Sequence, residues 1–141
     1  MTESETITTR SEEETSTAGE RFAARLKPGD VVLLYGDLGA GKTAFVRGLA
    51  KGLGASADDV SSPTFTLIQE YTGPTTLQHV DLYRLKPSEI EGLGLDELTD
   101  GKAVVAIEWA ERWNSPPADS WIVRLQHEGE DRRRITIHST L

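Results

Sequence analysis

The stretch Gly36-Asp37-Leu38-Gly39-Ala40-Gly41-Lys42-Thr43 decides the fold. It is a glycine, four residues, then Gly-Lys-Thr, the pattern of a phosphate-binding loop. Gly36, Gly39 and Gly41 open backbone conformations closed to other residues, so that successive amides can turn inward on phosphate oxygens. From a background glycine usage of about 7%, a chance match in a chain of this size is on the order of one in a few hundred. The flanks agree with the loop. Val31–Tyr35 before it is a short, wholly apolar, β-branched run, which predicts a strand buried on both faces. Gly41–Leu53 after it carries Phe45, Val46, Leu49, Ala50 and Leu53 at helical spacing and ends at Gly54. The positive end of that helix points at the same phosphates.

Outward from the loop, Ser11 reads as a helix N-cap with Glu14 as its capping-box partner, predicting a helix over Glu12–Leu26. Glu5–Thr9 alternates as a short edge strand. Phe65–Tyr71, Thr76–Asp81, Ala103–Trp109 and Trp121–His127 are strand-like, and Arg134–His138 is expected as a last edge strand. Pro87–Leu98 reads as one or two short helices in a connection. A strand, a glycine loop, a helix and further strands predict an α/β layer fold: one domain over residues 1–141, with a central, mostly parallel or mixed sheet flanked by helices.

Composition removes several classes. The 141 residues suit one domain, and the absence of cysteine excludes a disulfide scaffold, a Cys-ligated metal and a cysteine nucleophile. The formal charge of −8 argues against broad, autonomous nucleic-acid binding. Apolar runs such as Ala103–Ile107 are far shorter than the roughly 20 residues of a membrane span. Met1–Glu5 is polar and acidic, without the look of an export signal, so a cytoplasmic location is expected.

In the phosphate-loop reading, Lys42 bridges the terminal phosphates and the Thr43 hydroxyl is a ligand for Mg2+. Hydrolysis also needs an acid at a strand end near the loop. Glu108 ends the apolar strand Ala103–Ile107, and Asp81 ends Leu77–Val80 with His79 two residues earlier on the same face. Both acids are candidates, Glu108 the stronger. Ser61–Thr66 is a hydroxyl-rich connector, read as ordinary turn chemistry ahead of a phosphate sensor.

Taken together, Gly36–Phe45 (GDLGAGKTAF), Ser62–Tyr71 (SPTFTLIQEY), His79–Leu85 (HVDLYRL) and Ile107–Trp109 (IEW), with the helix start Ser11–Thr15, resemble the TsaE family. These are small bacterial P-loop ATPases needed for threonylcarbamoyladenosine modification of tRNA. The resemblance implies ATP and Mg2+ as cofactors. It implies nucleotide contacts from Gly36, Asp37, Leu38, Gly39, Ala40, Gly41, Lys42, Thr43 and Ala44. By that likeness Thr43 and Glu108 are expected to hold the metal, with Asp81 beside them in a metal-organising or water-activating role, and Lys42, Asp81 and Glu108 are the expected catalytic group. Glu12 and one of Arg132, Arg133 or Arg134, Arg132 first, are the nearest equivalents of residues at the adenosine end. Thr64, Tyr83, Arg84 and Trp109 fall on motif positions without an assigned role. The implied partner is the TsaB–TsaD pair, tRNA being reached only through it. There is no Asn-Lys-x-Asp guanine signature, and adenine comes from the resemblance.

Two other functions use the same loop: a small-molecule kinase, for which Arg84 and Arg112 are the available lid arginines, and a nucleotide-gated interaction module with negligible turnover. The three histidines are dispersed and predict no metal cluster, and Trp113 and Trp121 are expected to pack. Arg132-Arg133-Arg134 alternates faces on a strand and reads as a solvated edge before a tRNA patch.

Overall fold

The computed structural model describes residues 4–36, 41–55, 68–83, 85–92, 94–95, 101–114 and 116–140. Seven strands form one mixed sheet: β1 (Ser4–Thr9), β2 (Val31–Tyr35), β3 (Ile68–Tyr71), β4 (Leu77–Asp81), β5 (Val104–Glu108), β6 (Trp121–His127) and β7 (Arg133–Ser139). Their spatial order is β1-β7-β6-β2-β5-β4-β3. The central strands β6, β2, β5 and β4 run parallel, while β7 and β1 on one side and β3 on the other add antiparallel pairs. The expected mixed α/β sheet is therefore present. The expectation for the last strand needs correcting. The strand is there, one residue longer at each end than expected, but β7 lies between β6 and β1, and the edge falls to β1. Ile135 and Ile137 alternate into the core, which a strand at the sheet's margin does not require.

Helices α1 (Glu12–Ala23) and α2 (Lys42–Gly52) cover one face, over Val32, Leu34, Leu77 and Ile135. The other face buries Val31, Leu33, Val105 and Ile107 against Leu82, Leu85 and Ile90, the last on α3 (Pro87–Glu91). β2 thus buries both of its faces, as its unbroken apolar run predicts.

The Ser11 Oγ caps α1 by accepting the Glu14 amide at 3.0 Å. The Glu14 carboxylate reaches the Arg10 amide at 3.2 Å, one residue outside the usual capping-box partner. The helix stops at Ala23, three residues before its expected end. The amides of Ala24, Arg25 and Leu26 bond three residues back, tightening the chain ahead of Pro28. Leu26 still packs on the core. Phe65–Leu67, the Ser61–Thr66 connector and the end of the Pro87–Leu98 segment lie outside the described residues. Among the described residues no helix is long and apolar enough to cross a membrane.

Candidate functional site

Three adjacent parallel strands, β2, β5 and β4, end together, and their carboxyl ends carry the candidate site, as ligand crevices of open α/β sheets do. β2 leads into Gly36, and α2 starts after Gly41, whose φ of 99° is left-handed and favours glycine. A Cβ on Gly41 would touch the Thr15 Cγ2 at 3.4 Å and the Arg133 Nε at 3.7 Å. Asp37, Leu38, Gly39, Ala40, Thr64 and Arg84 lie outside the described residues. The first turn of α2 carries no acidic residue and no side-chain cap, unlike α1 with Glu12, Glu13 and Glu14. A helix N-terminus without acidic residues has the polarity that suits an anion.

Lys42 is buried, its ammonium donating to the Gly36 carbonyl and lying 3.6 Å from the centre of the Trp109 ring. That is a cation–π contact. Trp109 follows β5 with a left-handed φ of 59°, rare for an aromatic residue, and its ring packs 4.8 Å from that of Tyr83. The Arg112 guanidinium lies 5.9 Å from the same ring and donates to the Leu85 carbonyl at 3.4 Å. The motif residues Trp109 and Tyr83 thus pack beside the loop lysine. Their spacing in the sequence gave no sign of that contact.

Glu108 and Asp81 are register partners at the ends of β5 and β4, and Leu34 of β2 pairs with Glu108 on the other side. Both acids are almost fully buried. The Asp81 Oδ1 accepts the Tyr83 amide at 2.9 Å. Burial pushes the Asp81 carboxyl above the ordinary carboxylate range. The Tyr83 amide pulls it back, Glu108 adds to the rise, and His79 and Lys42 oppose it. His79 shares a face with Asp81, as expected, but its ring bonds to Glu108.

At the other end of the loop the arginine run divides. Arg133 is the one beside Gly41, Arg134 pairs with Glu128 at 2.9 Å, and Arg132 lines a surface hollow with Arg10 and Glu128–Asp131. Glu12 is exposed in the first turn of α1. Thr15, three residues on, accepts the Thr9 hydroxyl at 2.7 Å while donating to the Ser11 carbonyl. The two bonds fix the start of α1 beside Gly41.

The geometry meets its counterpart in the comparisons. A model of the family described as threonylcarbamoyl adenosine biosynthesis protein TsaE matches residues 9–135. The chain belongs to the TsaE family. The TsaE of Bacillus subtilis is 46% identical over 126 residues, covering 88% of this chain and 78% of that protein. The TsaE of Treponema pallidum is 42% identical over 130 residues, covering 91% and 96%. The crystal structure of YdiB from Bacillus subtilis superposes with a TM-score of 0.79 at 37% identity, covering all of this chain and 88% of that one. The TsaE fold is a P-loop fold, and its name ties the family to tRNA threonylcarbamoyladenosine biosynthesis.

A nucleotide with Mg2+ fits the residues present. Among the described residues no three His, Asp or Glu side chains group as a metal cage. P-loop Mg2+ needs none, because one or two protein oxygens, phosphates and water complete its shell. The Thr43 hydroxyl at the start of α2 and the paired acids at the ends of β4 and β5 are oxygens of the kind such a shell would draw on.

Proposed function

We propose that this chain is a Mg2+-dependent ATPase of tRNA threonylcarbamoyladenosine biosynthesis that acts with the TsaB–TsaD pair, residues 1–141 working as one unit. One observation carries the reading. The loop lysine on α2 packs against the residue that follows Glu108, and Glu108 is in register with Asp81, so phosphate and metal chemistry converge on one strand-end edge. Gly36 to Ala44 hold the phosphates, Lys42 neutralises their charge, and Thr43 with Glu108 hold Mg2+. Bound Mg2+ supplies charge neutralisation at the phosphoryl group being transferred. Asp81 orients the attacking water, and its raised affinity for a proton suits it to accept one. Glu12 and Arg132, with Arg133 beside the loop, are assigned to the adenosine end.

The internal contacts of Lys42 favour low turnover by the free chain. Its ammonium must leave the Gly36 carbonyl and the Trp109 ring to reach a phosphate. Partner stimulation follows if TsaB–TsaD stabilises the engaged lysine. The test is phosphate release measured alone, with TsaB–TsaD, and with candidate hydroxyl acceptors. ATP-dependent release that rises with the pair and falls at least about 100-fold in Lys42→Ala, with the circular dichroism spectrum unchanged, supports the reading. Phosphate passing to a metabolite identifies a kinase instead. Tight ATP binding without release, even with the pair, identifies a gated module.

A further inference from the structure

His79 sits on β4 with none of its surface exposed, two residues before Asp81. Its Nε2 meets the Glu108 Oε2 across the β4–β5 pair. A carboxylate oxygen only accepts, so Nε2 carries the hydrogen and donates it. Among the described residues the other ring nitrogen, Nδ1, is buried with no hydrogen-bond partner. Leaving a ring nitrogen unpaired in the interior is unfavourable, and an aliphatic residue such as the neighbouring Leu77 or Val80 avoids it. Packing alone therefore does not account for histidine here. Its one satisfied bond goes to Glu108.

We infer that His79 is a positioning residue, holding the Glu108 carboxylate by one oxygen and leaving the other for the divalent cation of a bound nucleotide. The inference rests on the proposed nucleotide site and deepens it. Fixing a buried carboxylate before the ligand arrives removes the rotamer search that would otherwise oppose metal binding. The imidazole acts through Glu108 and touches neither phosphate nor metal.

The test is a double-mutant cycle on the intact chain, measuring ADP affinity in EDTA and Mn2+ affinity in the presence of ADP by electron paramagnetic resonance. His79→Leu should weaken Mn2+ about 10-fold or more while ADP affinity in EDTA stays within about 2-fold. In a Glu108→Gln background the same change should add less than about 2-fold, and His79→Gln, whose amide can donate in place of Nε2, should recover most of the loss. If leucine unfolds the chain, His79→Asn, with an amide too short to reach Glu108, replaces it in the cycle. Losses that multiply in the double variant, or that fall equally on ADP in EDTA, overturn the positioning role. Wild-type chain that binds neither ADP nor Mn2+ with ADP overturns the site itself, and this inference with it.

Discussion

Gly48→Ala sets helix propensity against helix packing. In an exposed helix, alanine in place of glycine stabilises by up to about 1 kcal/mol. Here a Cβ on Gly48 would fall 1.8 Å from the Ser16 carbonyl oxygen, 2.7 Å from its carbon and 2.9 Å from the Glu20 nitrogen. These are backbone atoms of α1, so no rotamer relieves the clash. Restoring a 3.4 Å contact from 1.8 Å moves α2 off α1 by about 1.6 Å. Gly19 makes the reciprocal approach, 2.2 Å from the Phe45 carbonyl oxygen, and Gly52 a third, 2.7 Å from the Glu20 carbonyl oxygen, so the helices touch backbone to backbone along their length. Overpacking costs about 1–3 kcal/mol and more where backbone must shift. Taking the upper end and subtracting the propensity gain leaves a loss of about 2 kcal/mol. For a domain of this size that lowers Tm by about 6–10 °C. The assay is thermal unfolding followed by circular dichroism, with Gly92→Ala as control. The nearest atom to a Cβ on Gly92 is the Glu89 oxygen at 3.5 Å, and its φ of −79° suits any residue, so its Tm should move by less than about 2 °C. Because α2 begins with Lys42 and Thr43, the displaced helix should also lose nucleotide affinity. A Gly48→Ala chain melting at or above wild type refutes the backbone packing of α1 on α2.

Ser11→Ala removes the α1 cap and should destabilise by about 1 kcal/mol in urea unfolding, an unchanged midpoint counting against the cap. Asp81 titrates above its ordinary 3.8 because it is buried, so the folded chain keeps that proton longer than the unfolded one as pH rises. The stabilisation this gives is complete below pH 3.8 and lost as pH climbs through the folded-state value. Without metal or nucleotide, Asp81→Asn should therefore melt above wild type at pH 7, the gap closing on acidification; a gap that widens instead refutes burial as the dominant cause. Burial also raises the Tyr35 phenol above 10.0, and Arg124, whose guanidinium lies 4.7 Å from its ring, holds the rise back. Ultraviolet titration of Arg124→Ala should place that phenol higher still, and a downward move contradicts the contact.

The fold was legible where local chemistry was unambiguous. Val31–Tyr35 and Trp121–His127 are strands at the expected bounds because apolar, β-branched runs flanked by turn residues have one economical conformation. The P-loop pattern was legible because its glycine spacing and its flanking strand and helix are local features of the sequence. The same holds for Glu108 and Asp81 as strand-end acids, and for Ser11 as a cap. Less was legible where distant segments meet. Arg134–His138 announces a strand, but its neighbours depend on how β1 returns across the sheet.

Periodicity and residue type thus determined which segments are helix and strand, that the chain carries a P-loop pattern between β2 and α2, and which acids end the neighbouring strands. Tertiary structure alone decided that His79 meets Glu108, that Lys42 rests on Trp109, and that Arg133 is the arginine reaching Gly41. Each of those contacts joins residues far apart in the chain. A side chain's intrinsic preference reaches only a turn or so along its own segment, whereas sheet order and register set which distant atoms come within reach.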